Sequence, residues 1–506
     1  MRPSSSLSFS SPSLLLRSIF SSVRLSPISF LSHYSLTTLP LTTPATTSLP
    51  LPPVPSPSSA SVPCAFSDSQ IAISSNFDGG NIVHVSTTVL DPSSPAAPAF
   101  EVSLHVDKDP YTALEEKVHS QWFYFKATVP PSPSPLTVRY VITNANDVSF
   151  PDAWPGATAC FSVDGRESWR RKTDTVYDEG KGTLEWVHVH EEEERGCYFS
   201  YFEPYEFERH LDLVDRCGGA TGAAVSVIGR SLEGRSIEMI TVGTGSLNCW
   251  IQCRQHPGET QAEWFAEGLL ERLCGLAGDG SVDGLTHKAL SAFTFRIIPN
   301  VNPDGSAHGY LRCNAGGQNL NREWCDSKTL GGEVYEAPTL ERSPEVYYVL
   351  KKMDEVGVDC FADIHGDEAL PFNFIAGCEG LKNWGPRMQA LQGAFLGGYC
   401  RANPDMQREV SYEPDEPGCG YLNVASNQVG RRFDCLAVTL EMPYKDCVTC
   451  PDPERGYTGR RCKQLGASVV DAFMNVKDLV RSGEVFWESL QQGDEYVRPR
   501  EDWEGK

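Results

Sequence analysis

The sequence QHPGET at residues 255–260 follows an apolar, strand-like run and precedes a helical pattern. Its proline and glycine stop the strand and force a turn, and Thr260 is a suitable helix N-cap. His256 and Glu259, three residues apart across this turn, can point at one ion. Neutral imidazole and carboxylate suit Zn²⁺, and a catalytic zinc site needs one further protein ligand and one open position. The stretch therefore predicts a strand–turn–helix unit that carries two candidate zinc ligands.

The sequence around this stretch, from Tyr205 onward, alternates between apolar strand-like runs and helical patterns. Apolar strands separated by helices indicate a mostly parallel sheet with helices on both faces. We therefore predict an α/β domain with a mixed, mostly parallel sheet over residues 206–485. The predicted strands are residues 235–242, 246–253, 293–298, 360–364 and 435–440, and the predicted helices follow Thr260 and cover residues 344–356 and 465–480.

Four polar residues each follow a predicted strand directly: His256, Asn302, His365 and Glu441. Ligands in such folds collect at the carboxyl ends of the strands. His365 is the candidate third zinc ligand, because Gly366 lets the backbone turn away and expose the ring. A buried structural histidine is the usual alternative, and the opening motif favours a ligand. Glu441 leaves an apolar strand, where a carboxylate needs a partner such as a metal-bound water or a salt bridge.

Cationic and amide donors lie in the loops between these residues. Arg312 follows the loop at residues 300–305, and Asn321 and Arg322 come shortly after it. An arginine can donate hydrogen bonds to a reacting carbonyl oxygen, and an Asn-Arg pair can donate hydrogen bonds to a carboxylate. We therefore expect these side chains to bind substrate.

The net charge and the short apolar runs of the chain argue against two classes of partner. At 506 residues the chain is long enough for two or three domains. The formal net charge of -23 argues against a nucleic-acid surface, which would need a basic stripe. No stretch approaches the roughly 20 apolar residues of a membrane span. We therefore expect neither nucleic acid nor a membrane as a partner.

The 17 cysteines are scattered through the chain rather than framing a small domain, which favours reduced thiols over a disulfide framework. Cys447 and Cys450, with Cys435 and Cys462 nearby, form a weak structural-zinc pattern. The pattern lacks a second C-x-x-C pair, so we assign no site to it.

Residues 1–63 differ in composition from the rest of the chain. They are dominated by Ser, Leu, Pro and Thr, carry Arg2, Arg17 and Arg24, and contain no acidic residue. This composition is typical of an organellar transit peptide, which would direct the protein to a chloroplast or a mitochondrion. The alternative is a disordered tail without an address, which would leave the protein in the cytoplasm. At the other end, we expect residues 486–506 to form an acidic tail.

Residues 64–205 alternate between apolar and polar positions, and turn signals separate the short runs. This spacing predicts an antiparallel β-sandwich without a catalytic constellation. His188 and His190 each have a glutamate three residues later, as in the opening motif. They precede the acidic run at residues 191–194, which we interpret as a solvated hairpin tip. The predicted strands are residues 71–73, 81–85, 100–106, 121–125, 136–142 and 184–189.

Five motifs follow in a fixed order: His256–Thr260, Asn302–Gly305 with Gly309 and Arg312, Asn319–Trp324, Asp363–Gly366 and Thr439–Glu441. Together they resemble the zinc carboxypeptidase family, with its carboxypeptidase A-like fold, and specifically its cytosolic carboxypeptidase branch. Gln121–Phe125 and Glu203–Tyr205 resemble signatures of the β-sandwich that this branch carries at its N-terminus. The segment Ala369–Gly377 is closer to bacterial members than to the animal tubulin-modifying ones.

The resemblance implies a metal centre and a base. His256, Glu259 and His365 would hold one zinc ion, with water in the fourth position. Zinc brings the pKa of such a water near 7, and Glu441 would take its proton as it attacks the peptide carbonyl. The implied enzyme is a metallocarboxypeptidase that acts on the C-termini of peptides or proteins.

The resemblance also implies roles for the donors. Arg312, with the metal, would stabilise the tetrahedral oxyanion. Asn321 and Arg322 would bind the C-terminal carboxylate of the substrate. That contact would restrict the enzyme to chain ends.

Some positions depart from the family pattern. Asp367 stands where animal members have another histidine. The mobile tyrosine of the family's side-chain pocket has two candidates here, Tyr412 and Tyr421. Arg431 or Arg432, in the expected pocket, would either favour an acidic terminal residue or form a surface salt bridge.

Three other functions stand beside this one. A serine esterase is disfavoured because the chain has no G-x-S-x-G elbow. A catalytically silent binding protein, with the sandwich as its binding module, would have lost a ligand or the base, and none is lost. Deacylation of a non-peptide amide would use the same zinc centre, so the sequence leaves it open.

Overall fold

The computed structural model describes residues 71–91, 97–111, 118–277, 280–325, 328–330 and 333–481. The transit peptide or tail predicted for residues 1–63 and the acidic tail predicted for residues 486–506 lie outside the described residues. Both therefore stay predictions, as does the organellar address. None of the helices in the described part of the chain is both long and apolar enough to cross a membrane.

Ten strands form the predicted sandwich as two five-stranded sheets, in the orders β1-β4-β10-β6-β7 and β2-β3-β5-β9-β8. Large buried aromatic side chains from both sheets, among them Phe125, Tyr140, Trp186 and Phe199, fill the space between them. The strands are β1 (Ala72–Ser74), β2 (Val83–Val89), β3 (Phe100–His105), β4 (Tyr124–Thr128), β5 (Leu136–Ile142), β6 (Cys160–Ser162), β7 (Arg170–Arg171), β8 (Val176–Asp178), β9 (Thr183–His190) and β10 (Gly196–Ser200).

One pairing of the sandwich differs from the antiparallel prediction. β3 and β5 are neighbours in one sheet and run parallel. The chain leaves β3, forms β4 in the opposite sheet and then returns as β5, so it reverses direction twice between the two neighbours. All other pairings of the two sheets are antiparallel.

The second part of the chain forms a mixed seven-stranded sheet, as predicted, in the order β11-β12-β14-β13-β17-β19-β18. Its parallel pairings are confined to the four central strands, and the strands at both edges are antiparallel. The strands are β11 (Ala223–Arg230), β12 (Ser236–Val242), β13 (Leu247–Cys253), β14 (Phe293–Ile298), β17 (Cys360–Asp367), β18 (Phe374–Ala376) and β19 (Leu436–Pro443), and a separate hairpin joins β15 (Lys328–Leu330) to β16 (Glu333–Tyr335).

Helices cover both faces of this sheet. Ile251 of β13 lies in one apolar cluster with residues of helices α2, α6 and α8, whereas its neighbour Trp250 lies in a second cluster with residues of α5 and α7. Every residue of β17 and β19 is buried, as expected for strands covered on both faces. The helices are α1 (Phe207–Gly218), α2 (Gln261–Cys274), α3 (Gly284–Ala292), α4 (Pro303–His308), α5 (Pro344–Val356), α6 (Pro386–Ala402), α7 (Ala425–Phe433) and α8 (Gly459–Val476).

The topology brings the candidate residues to one end of the sheet. β13, β17 and β19 are adjacent and parallel, so their carboxyl ends meet at the same edge. The loop with His256 and Glu259 follows β13, His365 lies near the end of β17, and Glu441 lies near the end of β19. The fold therefore places three segments, whose candidate residues lie between positions 256 and 441 of the chain, around one point.

Candidate functional site

The turn between β13 and α2 is held from both sides. The Gly258 amide donates to the Leu311 carbonyl (2.9 Å), and the Tyr444 hydroxyl donates to the Gly258 carbonyl (2.7 Å). A Cβ at Gly258 would lie 3.0 Å from the Leu311 oxygen, which is tighter than most Cβ contacts, so glycine favours this close approach. Thr260 occupies the N-cap position of α2, as predicted, but its hydroxyl donates to the Glu203 carbonyl rather than capping the helix.

The three predicted metal ligands converge. His256 Nδ1 lies 2.7 Å from Glu259 Oε1, and His365 Nδ1 lies 2.8 Å from Glu259 Oε2. The two Nδ1 atoms are 3.2 Å apart. All three side chains are buried. Two imidazole nitrogens and a carboxylate around one point are a donor set that fits Zn²⁺ with room for water.

Outer contacts orient both imidazole rings. His256 Nε2 lies 3.0 Å from Asn319 Oδ1, and His365 Nε2 lies 2.9 Å from Asp363 Oδ2. An acceptor beside each Nε2 favours a proton on that nitrogen, which leaves the Nδ1 lone pairs facing the centre. Glu259 Oε2 also accepts the Gly366 amide (3.0 Å). The ligands are therefore held in place by the protein itself.

The electrostatics of the centre attract a cation. Burial and the charge of Arg312 lower the pKa of His256 to about 4, so this ring is neutral at physiological pH. Burial lowers the pKa of His365, but the carboxylates of Asp363 and Glu259 more than offset it and raise that pKa well above its ordinary value. The carboxylates around His365 thus stabilise a positive charge at this position, and a bound metal ion would supply that charge.

Glu441 lies beside this centre and is 7% exposed. Its Oε2 atom is buried and makes no hydrogen bond to any of the described residues. Burial raises the pKa of Glu441 well above its ordinary value, and the nearby carboxylates of Glu259, Asp367 and Glu368 add to that effect against the lowering by His365. A buried carboxylate oxygen without a protein partner, next to the predicted ligands, is suited to accept a proton from water.

The predicted substrate-binding residues line the same cleft, whose volume is about 390 Å³. Arg312, Asn321 and Arg322 all border it, together with the metal-binding residues and Glu441. Asn321 Oδ1 accepts the Ala425 amide (2.9 Å), so the NH₂ group is the donor that this side chain offers. Each residue assigned to the site from the sequence is therefore part of one cavity.

Asn302 follows a predicted strand but does not border the cleft. Its Oδ1 accepts the Gly305 amide at the start of α4 (3.1 Å), and its Nδ2 donates to the Gln255 carbonyl (3.0 Å). Both polar atoms of this buried amide are thus used to join α4 to the metal-binding loop. Its role is structural.

Both candidate pocket tyrosines border the cleft. Tyr412 and Tyr421 are 44% and 53% exposed. The Tyr412 hydroxyl donates to Asp367 Oδ2 (2.6 Å). Asp367 also accepts the amides of Ala369 and Leu370, so it fixes the backbone after the third ligand.

The arginines considered for substrate preference lie elsewhere. Arg431 and Arg432 are exposed at the end of α7, and neither borders the cleft. Arg432 forms two hydrogen bonds of 2.7 Å with Asp354 on the outer surface. Of the two alternatives for these arginines, Arg432 forms the surface salt bridge.

Sequence reasoning missed several residues of the cleft. Phe150, which belongs to the sandwich, forms part of its wall, although no catalytic feature was predicted in that part of the chain. Glu368 is a buried wall residue whose pKa burial raises well above its ordinary value. The cleft also contains Glu379, Glu413 and Asp415. Glu368 reaches the cleft because it follows His365 by three residues, whereas the other missed residues reach it through the packing of distant segments and have no pattern of their own.

The hairpin tip between β9 and β10 is partly different from the prediction. Glu191, Glu192 and Glu193 are exposed, as a solvated tip requires. His188 and His190, however, are buried, and both lie within 3.0 Å of Glu194 Oε1. The histidines are therefore partners of Glu194 inside the sandwich.

The cysteine pattern forms no metal site among the described residues. Only two groups there bring three potential ligands together, namely His256, Glu259 and His365, and a second group of His188, Glu194 and Cys197. The cysteines at 435, 447, 450 and 462 belong to neither.

Two family models match the chain in the predicted order. Residues 73–202 match the cytosolic carboxypeptidase N-terminal domain, and residues 220–377 match the zinc carboxypeptidase domain. Mouse cytosolic carboxypeptidase 4 is 27% identical over 55% of this chain, and this chain spans only 27% of that relative's length. An uncharacterized protein of Zymomonas mobilis is 40% identical, over 78% of this chain and 94% of the relative.

Solved bacterial structures extend this likeness to the fold. A metallo-carboxypeptidase from Pseudomonas aeruginosa, in complex with (2-guanidinoethylmercapto)succinic acid, is 38% identical, with a TM-score of 0.69 over 81% of this chain and 100% of that one. A metallo-carboxypeptidase from Burkholderia cenocepacia is also 38% identical, with a TM-score of 0.70 over 81% and 99%. The identity to bacterial proteins exceeds that to the animal ones, as the sequence indicated. This chain belongs to the zinc carboxypeptidase family, in its cytosolic carboxypeptidase branch, and is a zinc metallocarboxypeptidase.

Proposed function

We propose that this metallocarboxypeptidase hydrolyses the C-terminal peptide bond of peptides or proteins, with Glu441 as the general base. The observation that carries the proposal is the buried Oε2 of Glu441, which has no hydrogen-bond partner among the described residues and lies beside the converging atoms of His256, Glu259 and His365. Zinc held by these three residues would polarise the scissile carbonyl and lower the pKa of a bound water. Glu441 takes the proton of the attacking water and returns it to the leaving amine.

Arg312 supports this chemistry from another wall of the cleft. As the carbonyl carbon becomes tetrahedral, negative charge develops on its oxygen. A guanidinium aimed at that oxygen stabilises the transition state more than the ground state, which raises kcat. The charge of Arg312 already reaches the centre, since it lowers the pKa of His256.

Asn321 and Arg322 bind the C-terminal end of the substrate. A free C-terminal carboxylate can accept hydrogen bonds from the Asn321 amide and from the planar Arg322 guanidinium. An internal peptide bond would place an uncharged group there, to which a guanidinium binds less strongly than to a carboxylate. This contact supports exopeptidase activity over endopeptidase activity.

The remaining cleft walls favour a cationic terminal side chain. Glu379, Glu413 and Asp415 border the cleft, and its only described lining residues with guanidinium or ammonium groups are Arg312 and Arg322, which serve the oxyanion and the carboxylate. The Pseudomonas aeruginosa relative was solved with a compound that joins a guanidino group to a succinic acid. A terminal Lys or Arg presents the same combination of cation and carboxylate.

A panel of peptides that differ only in their last residue, each as free acid and as amide, tests the proposed function. Mass spectrometry should show removal of one residue at a time from the free acids and little reaction of the amides. Cleavage of amides and free acids at equal rates would contradict the role of the terminal carboxylate. It would favour the alternative activity, deacylation of amides in general.

A further inference from the structure

Asp109 belongs to the sandwich, in the loop after β3, yet its side chain reaches the cleft-forming part of the chain. It is 1% exposed. Its two carboxylate oxygens accept the backbone amides of three consecutive residues, Leu311 (2.7 Å), Arg312 (2.8 Å) and Cys313 (2.9 Å). A single side chain of one domain thus fixes the backbone of Arg312 in the other.

Apart from these three hydrogen bonds, the segment around Arg312 is supported by an antiparallel β-bridge between Cys313 and Asn319. It follows the end of α4 at Gly309 and has no helix of its own before Leu320. Leu311 and Cys313 are buried and Arg312 is partly buried, so their amides need acceptors within the protein, and the carboxylate stabilises the backbone conformation that presents all three to it. The Leu311 carbonyl accepts the Gly258 amide, so the same segment also touches the metal-binding loop.

A second loop of the sandwich holds the residues just before this segment. The Gly79 amide donates to the Ala307 carbonyl (2.9 Å), and Asn81 Nδ2 donates to the Gly309 carbonyl (3.1 Å). Gly309 has a φ of +70°, and a Cβ there would lie 2.6 Å from the carbonyl oxygens of Gly79 and Gly80. The sandwich therefore contacts Ala307, Gly309 and the run from Leu311 to Cys313.

We propose that Asp109 is a positioning residue for Arg312, and that the sandwich completes the active site rather than serving as a separate binding module. The inference rests on the proposed function, because it requires Arg312 to stabilise the transition state. Burial raises the pKa of Asp109 to about 6 against the lowering by the three amides, so at neutral pH the group is the ionised, acceptor-only form that the geometry requires.

The test is a double-mutant cycle in the full-length zinc enzyme. Asp109→Asn keeps the shape but turns one acceptor oxygen into a donor that faces an amide. We expect kcat to fall on the order of 10-fold or more with KM and zinc content little changed, since small displacements of a catalytic group are costly. Combined with Arg312→Ala, it should cause almost no further loss, because the group that it positions is gone.

Asp107→Asn is the matched control. Asp107 lies in the same loop and is exposed, and its carboxylate accepts the amide of its neighbour Lys108. We expect this variant to keep the normal kcat. Thermal unfolding of each variant separates loss of folding from loss of turnover, and Asp109→Ala, which removes all acceptors, should lower kcat at least as much as Asp109→Asn.

The outcomes distinguish failure of the role proposed for Arg312 from failure of the role proposed for Asp109. If Arg312→Ala alone leaves kcat unchanged, the proposed role of Arg312 fails, and the positioning role fails with it. If Arg312→Ala lowers kcat while Asp109→Asn does not, only the positioning role is overturned. An equal loss from Asp109→Asn in the presence and absence of Arg312 would show a general structural effect and would also overturn it.

Discussion

His365 and Glu441 are direct partners in the register of the neighbouring parallel strands β17 and β19. Residues opposite each other on adjacent strands project to the same face of a sheet at a separation of about 5 Å. The sheet itself therefore sets the distance between a metal ligand and the proposed base. Both residues are on strands rather than on loops, so their spacing is rigid.

The first prediction concerns the base. Glu441→Gln should retain zinc and bind substrate while kcat falls by about 10²–10⁴-fold, the usual contribution of a positioned general base. The amide is nearly isosteric but cannot take the proton of water. Steady-state kinetics on a free-acid peptide and elemental analysis of the same sample measure both effects. Turnover near the normal rate would exclude Glu441 as the base.

The second prediction concerns the metal. Purified enzyme should contain about one zinc per chain, and His365→Ala should lose it, because two protein ligands remain where a catalytic site needs three. His188→Ala is a matched control, since this buried histidine belongs to the other group of potential ligands. It should keep the zinc of the active site. Full zinc and activity in His365→Ala would remove His365 from the set of ligands.

The third prediction concerns the terminal carboxylate. Arg322→Ala should raise KM strongly with less effect on kcat, because the contact exists in the ground state and the transition state alike. Amidated peptides should be poor substrates of the unmodified enzyme for the same reason. The decisive comparison is the ratio of kcat/KM for free acid and amide, which should shrink in Arg322→Ala. An unchanged ratio would mean that Arg322 does not bind the terminal carboxylate of the substrate.

The fourth prediction concerns the terminal side chain. Peptides that end in Lys or Arg should have a higher kcat/KM than peptides that end in Glu, because the acidic cleft walls repel a second carboxylate. Asp415→Asn should reduce this preference several-fold, since it removes one of those charges from the cleft. Glu416→Gln, which removes an exposed charge of the neighbouring residue outside the cleft lining, is the control. Preference for terminal Glu in the unmodified enzyme would contradict this account of the pocket.

The metal centre could be predicted because its residues follow local patterns. His256 and Glu259 lie in one turn, and His365 and Glu441 each follow an apolar run, so a parallel sheet is enough to bring them together. Helix α5 also has the predicted bounds, with Pro344 at its start. Its proline suits a first helical position, and this signal is local.

What could not be predicted depends on contacts between distant residues. Asp109 accepts hydrogen bonds from residues more than two hundred positions away, so no local sequence pattern indicates its role. Phe150 reaches the cleft only because the sandwich packs against it. Strand β11 was missed because most of its residues are partly or fully exposed, so its apolar pattern is weak. The parallel pairing of β3 with β5 follows from the path of the chain between two sheets, which periodicity does not encode.

The fifth prediction concerns pH. Burial and the carboxylates of Glu259, Asp367 and Glu368 raise the pKa of Glu441. A base acts only when it is ionised, so activity is lost as pH falls through its pKa, and a raised pKa moves that loss to higher pH. Asp367→Asn removes one negative charge and lowers the pKa of Glu441.

The acidic limb of kcat/KM should therefore move to lower pH in Asp367→Asn. Asparagine keeps one acceptor oxygen for the amides of Ala369 and Leu370, and its NH₂ group can donate to the Tyr412 hydroxyl, so the change is mainly one of charge. Glu416→Gln, outside the cleft, should leave the limb in place. A shift of the limb to higher pH would contradict this prediction, because it would mean that Asp367 lowers the pKa of Glu441. No shift would mean that the acidic limb reports a group other than Glu441.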